Sequence, residues 1–258
     1  MKSVLQDVRN QTGSARTSES LIEEYEGSLG PVREEFDRHP AVLALFRQPM
    51  EAVDMEKFLI SFAILGVGMT EPVEGWIRRA ALRCGELGLV KLAKALDAHA
   101  HQEADHHLLM LADAGRLVDR WNKTRKSKLS VSALRDGAPT PGVTGYRQLH
   151  EDVIAGPTPY GQLAIEYEIE MLSVTYGPRL IERCTALLGN EILDGLSFLR
   201  DHVELDVGHT NFNRIQLGRL LAEHPDFLPG LIDAGSKALR AYALFLGDCF
   251  ALLRGIAA

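Results

Sequence analysis

The stretch HVELDVGH, residues 202 to 209, places His202, Asp206 and His209 at positions i, i+4 and i+7. At about 100° per residue the three side chains fall within about 60° of one another, on one stripe of a helix. Traced back one and two turns, the stripe passes Phe198 and Gly195, with Leu199 and Leu205 at its borders. A large apolar residue, a glycine that admits a neighbour and leucine edges together mark a side turned toward a core. Polar groups that continue such a side are costly to bury unless something satisfies them. Two imidazoles and a carboxylate within two turns are a donor set for iron, manganese or zinc. A half-exposed, ion-paired helix face is the competing explanation.

The helical repeat that organises this stretch recurs along the chain. TSES, residues 17 to 20, offers N-caps to a helix that His39-Pro40 should end, with Gly30 and Pro31 as points of interruption. A long pattern from about Ala52 to Leu87 is apolar on all sides in its middle, which predicts a central helix kinked at Pro72. A third runs from about Leu89 to Trp121. The segment 123–145 is first basic (KTRKSK) and then rich in Ser, Gly and Pro, and reads as a loop or lid. Helical pattern resumes at YRQLHEDVIAG, stops at PTPY, and continues in three further stretches to the C-terminus. The expectation is an all-α protein, an up-and-down bundle of seven helices, with a flexible segment at residues 1–16 and a single domain over 17–258.

Composition bounds the setting. The 258 residues are 46% apolar and 24% charged, with a formal charge of −7. This balance argues against bulk attraction to nucleic acid or anionic lipid. No apolar run reaches the roughly 18 residues of a membrane span. The first twenty residues lack an apolar core followed by a small-residue cleavage site. A cytoplasmic protein without membrane or nucleic-acid partners is therefore expected. Cys84, Cys184 and Cys249 are odd in number, far apart and set in apolar helical patterns, which predicts buried free thiols.

Two further stretches bear on the chemistry. In HAHQEADHH, Glu103 and His106 have the ExxH spacing of a carboxylate and an imidazole one turn apart. Four histidines at 99, 101, 106 and 107 cannot all face inward; His106 is preferred by spacing, with His107 in reserve. In EYEIE, Glu166 and Glu170 share a helix face near Leu163, Tyr167 and Val174, so one of the pair is a plausible inward carboxylate, while Glu168 points away. Taken together, the three stretches supply three histidines and three carboxylates. A ferritin-like site needs two ExxH motifs, and here HxxxDxxH stands where the second should be.

With these residues assembled, the chain resembles the haem-oxygenase-like di-iron oxidases and oxygenases over about residues 50 to 215. The most specific features are HxxxDxxH on a late helix, the EYEIE helix about 32 residues earlier, and the ExxH before that. The resemblance implies a seven-helix haem-oxygenase-like bundle and a ligand set of Glu103, His106, Glu170, His202, Asp206 and His209. Glu170 is favoured over Glu166 by its distance from His202. Some members add a glutamate from the early core helix, a role for which Glu71 and Glu74 are candidates. Haem is not implied, since its relatives need an axial histidine on the first helix and His39 sits at a helix end. Thiaminase-like relatives use a cysteine nucleophile, which these three cysteines do not suggest.

The resemblance further implies two Fe(II) ions, dioxygen as co-substrate and a small-molecule substrate near the apolar middle of the 52–87 helix. The expected activity is N-oxygenation or oxidative C–C cleavage of a small amine or amino-acid-derived molecule, in specialised metabolism. Fatty-acid decarboxylation or desaturation is the alternative within the family. A non-enzymatic metal-binding helical protein is the alternative outside it. An external reductant and a homodimer are partners compatible with either enzyme reading.

Overall fold

The computed structural model describes residues 17–137 and 139–257, so the expected flexible segment 1–16 lies outside the described residues. Eleven α-helices and three short 3-10 turns follow one another, with no strand among the described residues. α1 (Ser18–Asp37) begins where Thr17 Oγ1 accepts the Ser20 N–H at 3.1 Å, the cap predicted from TSES. It runs unbroken through Pro31, whose ring is exposed and whose missing N–H frees the carbonyl of Gly27, another exposed residue. His39-Pro40 ends it as expected. A second helix, α2 (Pro40–Phe46), then starts at once, with His39 Nδ1 accepting the Ala41 N–H.

α3 (Ala52–Thr70) is the central helix foreseen from its all-round apolarity. It buries Phe58, Leu59, Ile60, Phe62 and Ile64 on every side, against α6 (His106–Thr124), α8 (Pro141–Ala155), α9 (Gln162–Leu188) and α11 (Leu228–Leu252). Phe58 meets Phe250 with ring centroids 4.8 Å apart. Each such side chain contributes about 1.5–3 kcal/mol by leaving water. Pro72 does more than kink the pattern. It separates α3 from α4 (Val73–Glu86), which turns to pack on α5 (Val90–Gln102) and α8.

The expected count of seven is corrected to eleven among the described residues. The long patterns part at Pro40, at Pro72 and between Gln102 and His106, and α7 (Val131–Arg135) forms inside the segment expected to be a loop. That segment is also pinned. Trp121 Nε1 donates to the Ser127 carbonyl at 2.7 Å, Asn122 exchanges two hydrogen bonds with Leu129, and Arg125 pairs with buried Glu56 on α3. α8 begins within it, at Pro141.

α9 and α10 (Ser197–Glu223) lie alongside each other over most of their length. They pack tightly at Gly177, where an added methyl would overlap Val203 Cγ2. On the opposite side of α9, buried Glu168 accepts two bonds from Arg33 at 3.0 and 2.8 Å and one from Tyr25 at 3.1 Å, fastening α1 to α9. The rotation of α9 is thereby fixed, and with it the direction of Glu166 and Glu170. No helix among the described residues is long and apolar enough to cross a membrane.

Candidate metal centre

The centre gathers where α5, α6, α9 and α10 meet. The ExxH motif does not lie on one helix. α5 stops at Gln102, Glu103 caps it, and Asp105 takes left-handed backbone (φ 65°) before α6 starts at His106. Across this break His106 Nδ1 and Glu103 Oε2 are hydrogen-bonded at 2.9 Å.

Two groups of ligand-type atoms result. The first joins His99, Glu103, Glu170 and His209; the second joins Glu103, His106 and His202, with Glu103 common to both. In the first, His99 Nε2 stands 2.9 Å from Glu170 Oε1 and 3.4 Å from Glu103 Oε1. His209 Nδ1 stands 3.2 Å from Glu103 Oε1, 3.4 Å from Asp206 Oδ1 and 3.8 Å from Glu170 Oε1. His99 Nε2, Glu170 Oε1 and His209 Nδ1 are buried, and none has a hydrogen-bond partner in spite of these approaches. Such atoms are within reach of one shared ion. Donors bound at about 2.1 Å to one ion lie about 3.0–3.4 Å apart, the range in which His99 stands from Glu103 and His209 from Glu103 and Asp206.

Second contacts orient these groups, as is usual around metals. Asn213, one turn beyond His209 and fully buried, donates to Glu170 Oε2 at 2.7 Å and leaves Oε1 directed inward. His202 Nδ1 donates to the Phe198 carbonyl at 2.9 Å. Because a carbonyl only accepts, Nε2 is the nitrogen left with a lone pair.

Electrostatics follow the crowding of carboxylates. Burial works against a charged His99, but contact with Glu103 and Glu170 carries it up to about 11. Asp206 and Glu103 raise His209 to about 9. Burial disfavours a charged Glu103 too, yet His106, His209 and His99 hold it far below the usual carboxylate range. Burial raises Glu170, and it raises Glu166 to about 8. Burial also lowers His202, which favours the neutral imidazole that a metal requires.

Of the residues expected from the sequence, Glu103, His106, Glu170, His202 and His209 come together in the two groups. Asp206 lies beside them, against His209. Glu166 lines the adjoining cavity and accepts from Gln162 Nε2. Three others do not take part. Glu71 is exposed at the end of α3, Glu74 pairs with Arg78 at 2.8 Å, and His107 is partly exposed outside both groups. The helix that carries Glu71 and Glu74 breaks at Pro72, which turns them away from the centre. The residue that sequence reasoning missed is His99, 1% exposed. Its signal was present: His99 and Glu103 are spaced i, i+4.

A largely apolar cavity adjoins the cluster, walled by Phe62, Gly66 and Met69 of α3, Ile169 of α9 and Tyr242 and Phe245 of α11. Measured to the centres of water molecules it holds about 140 Å³. Glu103, Glu166, Glu170, His202 and Asp206 also line it, and no lysine or arginine does among the described residues. His39 and the three cysteines lie elsewhere. Cys84, Cys184 and Cys249 are buried, as expected, and burial pushes the thiols of Cys84 and Cys184 up to about 12.

No family model matches the chain, and no curated protein matches it. Solved structures resemble it, among them these two. One is a domain of unknown function with a haem oxygenase-like fold from Shewanella denitrificans OS217, 16% identical, with a TM-score of 0.65 over 93% of this chain and 94% of that one. The other is a TenA homolog from Pseudomonas syringae pv. tomato DC3000, 12% identical, with a TM-score of 0.59 over 93% and 98%. At these identities the likeness concerns the fold. The chain is an all-α protein with a haem oxygenase-like fold, and its His and Glu clusters are suited to metal ions.

Proposed function

We propose that the chain is a non-haem di-iron oxidase or oxygenase, holding two Fe(II) ions and using dioxygen to oxidise a small amine or amino-acid-derived substrate. The observation that carries this reading is the pair of His/carboxylate groups sharing Glu103 beside a largely apolar cavity. His99, Glu170 and His209 with Glu103 would hold one ion, and His106 and His202 with Glu103 the other. Asp206, 3.4 Å from His209 Nδ1, is placed to complete either. Iron of this kind supplies the electrons that activate dioxygen.

The protein's own part is orientation and exclusion. Asn213 aims Glu170, and the Phe198 carbonyl aims His202. Phe62, Met69 and Phe245 give the substrate volume an apolar wall. Glu166 holds a proton at neutral pH and can release it to the cavity. The absence of lysine and arginine from the described lining supports an amine over a carboxylate held by a cationic side chain. Arg78, Arg79 and Arg214 are engaged by Glu74, Glu151 and Glu19 instead. The raised thiols give no support to a cysteine nucleophile.

The test is an anaerobic Fe(II) titration followed by oxygen-consumption assays against amines, amino acids and fatty acids, with an external reductant supplied in parallel. Saturation at about two irons per chain and substrate-dependent oxygen uptake are expected. Saturation at zero iron ends the proposal. Full loading with no oxygen uptake on any substrate class shifts it to metal storage or a structural metal.

A further inference from the structure

Asp113 lies on α6 seven residues after His106, which puts both on one face of that helix. It is 3% exposed, with Arg116 3.4 Å away as an exposed cation. Its carboxylate is spent on another helix. Oδ1 accepts from Ser197 N at 3.0 Å and Ser197 Oγ at 2.6 Å, and Oδ2 accepts from Phe198 N at 2.8 Å. Ser197 and Phe198 open α10, and Leu196 before them offers no capping side chain. A carboxylate on the first N–H groups of a helix satisfies orphan donors and complements the helix dipole. Here that carboxylate comes from a different helix. One turn along α6, Leu117 meets Gly195 so closely that an added methyl would lie 2.8 Å from its Cδ2.

This junction leads directly to a ligand. The ring of Phe198 stacks on His202 with centroids 3.8 Å apart, and its carbonyl takes the Nδ1 proton. His202 then meets His106 edge-on at 4.7 Å. The path from Asp113 through Phe198 to His202 closes on the helix that carries both Asp113 and His106.

We infer that Asp113 is a positioning residue for the group Glu103, His106 and His202: it sets the register of α10 against α6 and so the aim of His202. The inference rests on the two-metal reading above for its functional meaning. It predicts a defect larger at this group than at the other, because His99 and Glu170 are carried by α5 and α9, and His209 stands two turns further along α10 from the cap than His202.

The test pairs Co(II) titration under argon with nitrogen NMR of the histidine rings in the metal-free chain, on wild type, Asp113→Ala, Asp113→Asn and Ser197→Ala. Asp113→Ala should weaken one of two sites by about 10- to 100-fold, as expected for loss of an outer contact, and leave the other within about 3-fold. His202 should lose its single Nδ1–H tautomer while His99 is unchanged. Asp113→Asn, which keeps one acceptor, and Ser197→Ala, which removes one bond from a folded chain, should each show a smaller defect of the same kind. Equal weakening of both sites, or an unaltered His202 spectrum, overturns the inference. If wild type takes up no Co(II), the metal reading falls by itself and the nitrogen spectrum still decides the positioning role.

Discussion

His99 Nε2 stands 2.9 Å from Glu170 Oε1, and neither atom is hydrogen-bonded. Two buried polar atoms at that distance without a bond cost stability unless a third body accepts both. His99→Ala should therefore weaken metal binding at least about 100-fold, more than the loss of an outer contact. His101→Ala, at an exposed position on the same helix, should leave it unchanged. Chelator competition measures both, and equal behaviour of the two variants would remove His99 from the site.

The raised histidines predict a pH dependence of the metal-free fold. His99 and His209 keep protons that an unfolded chain releases near 6.5, so their stabilisation is complete below that pH. It is lost as pH rises through about 9 for His209 and about 11 for His99. Glu166, raised from 4.5 to about 8, adds a loss of the same sign between those two values. In chelator, unfolding free energy should fall as pH rises from 6.5 to 9, with His209 contributing to the loss. Metal affinity should rise over the same interval, since binding displaces these protons. Denaturant titrations at stepped pH measure the first, and a rising stability would contradict it.

Glu170→Gln and Glu166→Gln separate the two carboxylates of EYEIE. Glu170→Gln should cost metal affinity at least about 10-fold. Glu166→Gln should keep two metals per chain and alter the pH profile of turnover, since it removes the proton held near pH 8. Glu71→Gln and Glu74→Gln should change stability by no more than about 1 kcal/mol and leave the metal count unaltered. A metal count lowered by Glu74→Gln would restore the seventh-ligand idea.

Glu168 serves stability. Glu168 is buried while Arg33 is partly exposed, so Glu168→Ala should destabilise by about 1–3 kcal/mol by leaving the Arg33 guanidinium and the buried Tyr25 hydroxyl without their acceptor. The folded variant should still bind metal stoichiometrically. Urea unfolding and metal titration on one preparation test both halves.

Most of this architecture was legible because helices announce themselves through a 3.6-residue repeat. The all-round apolarity of Phe58 to Ile64 marked the central helix, and the 202–209 spacing marked a polar stripe on a buried side. What escaped was where patterns part. Pro72 splits a helix and Pro31 does not, because Pro31 is exposed and the carbonyl it frees, at Gly27, belongs to another exposed residue. The break at Glu103 to Asp105 has neither proline nor glycine to betray it. An aspartate takes the left-handed conformation there, which Asp tolerates better than most residues. With a continuous helix assumed, His99 seemed one of four interchangeable histidines. The turn after it sends His106 to a second group while His99 stays with the first.

That turn also governs which changes of chain length the centre would tolerate. An insertion between His202 and His209 would rotate one imidazole by about 100° against the other and dismantle the stripe. An insertion at Ala104 or Asp105 falls outside both helices and leaves the phase of α5 and of α6 untouched. Homologues should therefore vary in length between Glu103 and His106 while keeping the seven-residue interval on α10, and a search demanding a rigid ExxH would pass over them.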